Sequence, residues 1–244
     1  MSDRLRIVTF NIKHACTGSG RVDLPLLGRT CRGFGADLLA LQEVDRRARR
    51  SRYSDQVALV ARATGLSATF GEAARRGRIR RYGNALLGRG LFSDVEVMPL
   101  PRPVAGEPRV AILARLSTDG FRPGALSVAA THLSFRREEG RVQLEAVLDA
   151  LDRRPLPRVL LGDLNLGPEV VEPAMATAGY ELAPTPGTFP AEQPRLRIDY
   201  VAVAGLTVAG ARAPRVALSD HRPVIADVDA PARRGQETGP QPVR

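Results

Sequence analysis

Eight polar side chains stand where short apolar runs begin or end, and their types suit hydrolysis of an anionic ester. The run from Leu5 closes as TFN at Asn11, a second closes as LQE at Glu43, and a third closes as TH at His132. After Val159 to Leu161 comes GDLN, with Asp163 and Asn165. Asp199 opens the run IDYV, and Asp220 and His221 precede the last apolar run. A phosphodiester repels hydroxide, so its cleavage needs a hard cation held by carboxylates and a base that activates water. Oxygen ligands of this kind suit Mg2+ or Mn2+. Each residue also has an ordinary reading, since a Glu after a strand is usually solvated and Asn or Asp beside Gly usually makes a turn. Their joint occurrence singles them out, because open sheets expose chemistry at strand ends. If the strands are neighbours, carboxylates, amides and imidazoles gather on one rim.

The elements that must position these groups are short. Runs rich in Val, Ile and Leu at Leu5 to Phe10, Asp37 to Leu41, Ala85 to Leu87, Val110 to Leu116, Ala125 to Ala130, Arg158 to Leu161, Ile198 to Val203 and Val224 to Val228 predict strands. Helical spacing appears in Glu138 to Leu151, with Leu144, Val147, Leu148 and Leu151 on one stripe, and in Ser54 to Ala63, with Val57, Val60 and Ala61 together. Leu24 to Arg32 is a weaker helix because Pro25 suits only a first turn. Many strands with a few interspersed helices indicate a layered α/β or α+β domain. The Pro/Gly-rich stretches Pro99 to Pro108 and Ala183 to Pro194 read as loops inside it. The tail from Ala230 carries no apolar periodicity and is expected to be disordered. The expected organisation is one domain over residues 1–229, without internal repeats, followed by the tail 230–244.

Composition narrows the classes. The chain has 244 residues and a formal net charge of +10, which attracts anionic partners such as phosphodiesters or acidic lipid surfaces at long range. Lys13 is the only lysine, so nearly all of that charge is Arg, a pattern that also fits a GC-rich coding bias. Cys16 and Cys31 have no companion Cys or His at zinc spacing and read as reduced thiols. The N-terminus lacks the apolar stretch of a signal peptide, and no run approaches the ~20 residues of a membrane span. A cytoplasmic protein is expected.

TFNI, LQEV, YGNALL, THL, GDLN, RIDYV and SDHRPV occur in this order between Thr9 and Val224. Together they resemble the motif series of the endonuclease/exonuclease/phosphatase superfamily, which includes pancreatic deoxyribonuclease, exonuclease III-like repair nucleases, bacterial sphingomyelinases and inositol polyphosphate 5-phosphatases. The resemblance implies an α/β (α+β) four-layer sandwich, two packed and mainly antiparallel β-sheets flanked by helices. It also implies that Glu43 is the main ligand of a Mg2+ or Mn2+ ion, with Asn11 beside it and Asp220 nearby as a further contact. Asp163 and Asn165 resemble the pair that orients the attacking water and the scissile phosphate. Asp199 resembles the carboxylate that fixes a histidine, here His221, and His132 resembles a second histidine that binds a phosphate oxygen or protonates the leaving group. Whether Asp163 or His221 removes the proton of water stays open.

The remaining polar residues are less distinctive. His14 is expected in a solvated or supporting role. Tyr82 and Asn84 of YGNALL follow Arg75, Arg76, Arg78, Arg80 and Arg81, either an electrostatic lip for an anionic substrate or a solvated loop. Arg197, Thr188 and Phe189 lie where loops of related proteins overhang the site, and Tyr82, Asn84 and Arg197 are candidates for substrate contact. The chain has no Trp, few aromatics for a membrane-inserting hairpin, and RIDY where the 5-phosphatases carry a Trp-Cys-Asp-Arg signature. The expected activity is metal-dependent hydrolysis of a phosphoester, most specifically a phosphodiester, in a nucleic acid, a phospholipid head group or a small ester. The alternatives are a DNA or RNA endonuclease and a non-catalytic nucleic-acid-binding protein on the same fold. No obligate protein partner is expected.

Overall fold

A computed structural model describes residues 4–77, 79–102, 106–118, 121 and 124–230. Among the described residues twelve strands are assigned in chain order: β1 Arg4–Asn11, β2 Leu38–Arg46, β3 Ser67–Arg76, β4 Arg80–Gly88, β5 Leu91–Pro99, β6 Val110–Ser117, β7 Ala125–His132, β8 Arg158–Asp163, β9 Glu181–Leu182, β10 Asp199–Ala204, β11 Thr207–Arg212 and β12 Val224–Asp229. The helices are α1 Leu24–Gly33, α2 Gln56–Thr64, α3 Arg137–Asp152 and α4 Pro168–Thr177. One six-stranded sheet runs β11-β12-β1-β2-β4-β3, and the other runs β5-β6-β7-β8-β10-β9. The pairs β1/β2 and β7/β8 are parallel, and the other pairs among the described residues are antiparallel.

Strand alternation divides the apolar residues among three cores. Ile7, Leu38 and Leu86 of the first sheet meet Ile112, Val128 and Leu161 of the second, so the sheets pack face to face. The intervening residues point outward: Val8, Leu39 and Leu87 meet Leu27 and Val60 of α1 and α2. On the other side Leu113, Ala129 and Leu160 meet Leu144, Val147 and Met175 of α3 and α4. Helix, sheet, sheet and helix therefore form four layers, as the motif series implies.

The helix starts follow from capping. The Asp23 carboxylate accepts from Leu26 N at 2.8 Å and the Asp55 carboxylate from Ala58 N at 3.0 Å, which places α2 two residues later than its apolar pattern suggests. Helix α4 escapes the sequence pattern because Pro173 lies inside it. The unanticipated strands are β3, β5, β9 and β11, and these are the edges of the two sheets. Edge strands bury little, as the largely exposed β5 and β11 show, so they lack the apolar signal of inner strands. The expectations for Arg78 and for the tail beyond Ala230 lie outside the described residues. Among the described residues no helix is long and apolar enough to cross a membrane.

Candidate active site

Chain direction brings the polar strand ends to one rim. Strands β1 and β2 run parallel, so Asn11 and Glu43 lie towards their C-terminal ends on the same side. Strands β7 and β8 are likewise parallel, and their last residues, His132 and Asp163, are direct register partners. Strand β10 runs back along β8, which puts its first residue, Asp199, opposite Asp163. Strand β12 runs back along β1, so the loop carrying Asp220 and His221 enters at the same rim.

Asp163 is the meeting point. The Asn11 Nδ2 donates across the sheet-to-sheet boundary to Asp163 Oδ2 at 2.9 Å and also to Glu43 Oε1 at 3.2 Å. The same Asp163 oxygen lies 3.4 Å from His132 Nε2 and 3.7 Å from His221 Nε2. Its other oxygen accepts from Asn165 N at 3.0 Å, while Asn165 Nδ2 donates to Leu133 O at 3.0 Å. Both Glu43, at φ +57°, and Asn165, at φ +51°, hold left-handed backbone conformations that non-glycine residues rarely adopt. At Glu43 the cause is a bulge between Leu41 and Val44, where β2 loses register with β4 and continues to Arg46.

The titratable groups are arranged against one another. Burial pushes the Asp163 carboxyl up to about 7, and the Asp199 charge adds to this against His221 and the Asn11 and Asn165 hydrogen bonds. Burial also opposes a charged His221, but the Asp199 charge and hydrogen bond, with Asp163 and Asp220 beyond, hold its pKa up to about 9. His221 Nδ1 lies 2.9 Å from Asp199 Oδ2, within a donor's reach of a fully buried carboxylate. His132 is driven the other way, well below its ordinary value, by burial and then by Arg109 and His221.

Asp163, Asp199 and His221 lie close enough to share one ion among the described residues. Glu43 offers a more open carboxylate beside them. The remaining sequence candidates fall into other places. Asp220 accepts from Lys13 Nζ at 2.6 Å, so its charge already has a partner. Asn84 is turned to the backbone and donates to Val110 O at 3.0 Å, which ties β4 to β6. Arg197 is a strut: it donates to Glu172 Oε1 at 3.1 Å and Ala183 O at 3.0 Å, and covers the Tyr200 ring at 4.9 Å. Its Nε is buried without a hydrogen-bond partner. Tyr82 is half-buried beneath Arg50, whose guanidinium carbon stands 5.4 Å from the ring centre. Arg75 and Arg81 both pair with Glu72, and Arg46, Arg47, Ile79 and Arg81 line a cavity of about 190 Å³. His14 lies half-buried beside the site with an unpartnered Nδ1, and its backbone oxygen accepts from Gln56 at 2.8 Å.

Three residues escaped sequence reasoning. Arg109 donates through Nη1 to His132 Nδ1 at 2.8 Å. Ser219 Oγ donates to Asn11 O at 2.6 Å and accepts from His221 N at 3.2 Å. Lys13 heads three successive non-glycine residues with positive φ, Lys13, His14 and Ala15. Ser219 lies within the quoted SDH motif, but Arg109 is hidden by the Arg-rich composition.

The comparisons with known proteins agree with the four-layer fold. The model of the Endonuclease/Exonuclease/phosphatase family matches residues 8–221. An endonuclease/exonuclease/phosphatase from Beutenbergia cavernae is similar with a TM-score of 0.77 and 25% identity, over 93% of this chain and 72% of that one. The human Nocturnin catalytic domain with bound sulfate aligns at TM-score 0.67 and 19% identity, over 94% and 95% of the two chains. A mannosyl-6-phosphatase from Bacteroides thetaiotaomicron aligns at 0.72 and 15%, over 92% and 99%. No curated protein matches the sequence. With a family model covering most of its length and the four layers in place, this chain belongs to the endonuclease/exonuclease/phosphatase family.

Proposed function

We infer that this chain is a divalent-metal-dependent hydrolase that cleaves a phosphodiester by attack of water. The family makes it a metal-dependent phosphoester hydrolase in general terms. The observation that carries the finer reading is the convergence on Asp163 Oδ2 of Asn11 from the opposite sheet, of His132 from the neighbouring strand and of His221 from the loop before β12. The donor set fits a hard dication. Glu43 and Asp163 are carboxylates that share one amide donor, and burial together with the neighbouring Asp199 charge raises the Asp163 pKa, a combination that a bound cation would relieve. Glu43 would hold the ion, with the Asn11 amide fixing the carboxylate, and Asp220 would join it only by giving up its ion pair with Lys13. The bound ion would neutralise phosphate oxygens and polarise the ester.

The protein's own groups then divide the work. Asp163, with a pKa close to neutrality and a backbone bond to Asn165, is placed to accept the proton of the attacking water. His221, kept protonated by Asp199, presents Nε2 as a charge-assisted donor to a phosphate oxygen. Asn165 and His132 add neutral donors. Turnover of bis-p-nitrophenyl phosphate with Mg2+ or Mn2+, abolished by chelator and by Glu43→Ala, tests the reading. No turnover with either metal defeats it.

An endonuclease reading is favoured by the +10 net charge and by the cavity lined by Arg46, Arg47 and Arg81. Plasmid nicking at low salt separates it from hydrolysis of a lipid or small ester. A phosphomonoester belongs in the same panel because one structural neighbour is a phosphatase. Salt-sensitive DNA binding without hydrolysis identifies the non-catalytic alternative.

A further inference from the structure

We propose that Arg109 is a positioning residue that locks His132 as the neutral tautomer protonated on Nε2, so that His132 serves as a fixed hydrogen-bond donor to phosphate and not as a proton source for the leaving group. The proposal rests on the phosphoesterase reading above. A guanidinium has donors only, so the 2.8 Å contact between Arg109 Nη1 and His132 Nδ1 requires a lone pair on Nδ1. The ring proton must then sit on Nε2, which faces Asp163 Oδ2 at 3.4 Å in the centre of the site. Protonating His132 would break this bond and place a second cation against the guanidinium.

The arrangement is built and not incidental. Arg109 is only 7% exposed, Nη2 pairs with Glu107 at 3.1 Å, and Nε is buried without a partner. A buried guanidinium that meets a neutral imidazole and leaves one donor unmet is a poor stability device. Its backbone is pinned as well: Arg109 O accepts from Leu100 N at 2.9 Å, and the next carbonyl, Val110 O, accepts from Asn84 at 3.0 Å and Thr131 at 3.2 Å. The two histidines are consequently set in opposite senses. A carboxylate behind His221 demands a proton on Nδ1, and an arginine behind His132 forbids one. Both then turn Nε2 towards the same Asp163 oxygen, where a phosphate oxygen could accept from the pair.

A double-mutant cycle on the full chain, with bis-p-nitrophenyl phosphate and Mg2+, provides the test. The probe's leaving group departs without a proton, so loss of a general acid barely slows it. R109M is expected to lower kcat roughly 10- to 100-fold with KM little changed, the scale of one misplaced donor to the transition state. R109K, which keeps a donor towards Nδ1, should recover most of the rate. In an H132Q background, whose amide donor has no tautomer to set, R109M should cost less than about 3-fold. Equal losses in both backgrounds overturn the proposal. So does a loss in H132A much larger for an alkyl ester than for the nitrophenyl ester. A nitrogen-15 spectrum of the wild-type chain should show His132 neutral and protonated on Nε2 at neutral pH, and a proton on Nδ1 overturns the proposal whether or not R109M folds. That spectrum needs no turnover, so failure of the phosphoesterase reading is told apart from failure of this one.

Discussion

His221 owes its assigned role to one partner, and the consequence can be measured. Asp199 is fully buried, contacts His221 Nδ1 through both oxygens at 2.9 and 3.2 Å, and supplies the charge that keeps the ring protonated against burial. Asp199→Asn retains the shape and removes that charge. We expect kcat to fall on the order of 10²–10⁴-fold with a much smaller change in KM, because the lost interaction strengthens in the transition state. Unchanged turnover in steady-state assays would remove the pair from the mechanism. Glu43→Gln is expected to raise the Mg2+ concentration needed for half-maximal rate at least tenfold, since an amide donates no charge to a hard cation. A metal titration with unaltered midpoint would assign the ion elsewhere.

At the scale of elements, the site depends on how closely β7 and β8 approach. Gly162 of β8 is the register partner of Thr131 in β7, and a Cβ added there would meet Thr131 O at 2.1 Å. Gly162→Ala must therefore push apart the strands that carry His132 and Asp163. We expect a stability loss of about 1–3 kcal/mol in urea unfolding, the usual cost of overpacking, with a larger proportional fall in kcat. Wild-type turnover in a destabilised variant would show that the register of His132 with Asp163 is not critical. The bulge at Glu43 plays a related part on the other sheet, taking one residue out of alternation so that its carboxylate reaches the Asn11 amide. Inner strands such as β1, β7 and β8 are legible as apolar runs because both of their faces are buried. The edge strands were not legible because one flank of each lacks a partner.

Across the whole molecule, the raised pKa values of His221 and Asp163 set a pH dependence of stability. His221 binds its proton more tightly folded than unfolded, so its contribution is complete below about 6.5 and is lost as pH rises through about 9. Asp163 also keeps its proton longer in the folded state, and its contribution fades as pH climbs through about 7. The Asp163 loss runs from the ordinary carboxylate range up to about 7 and the His221 loss from about 6.5 to about 9, so both lower stability as pH rises and His221 carries the upper window. The metal-free protein should therefore show a falling Tm across that window in scanning calorimetry. Added Mg2+ should raise Tm more at pH 9 than at pH 6.5, because the ion replaces the protons the site has released. A flat Tm profile in chelator, or an equal Mg2+ effect at both pH values, would contradict this account of the cluster.

The sequence by itself determined the alternation that splits the apolar residues among three cores, and the polar residue types at the strand ends. These are local properties, readable from a period of two and from the residue that breaks it. Chain direction is not local, and only the tertiary structure decided that Asp163 would stand at the centre, with Asn11 reaching it from the opposite sheet. The same holds for the partners of charged groups. Asp220 faces Lys13, Arg197 is drawn into packing on Tyr200, and Arg109 is drawn from 36 basic residues to the back of His132. A guanidinium's role is set by what lies within about 3 Å of it, and folding decides those neighbours.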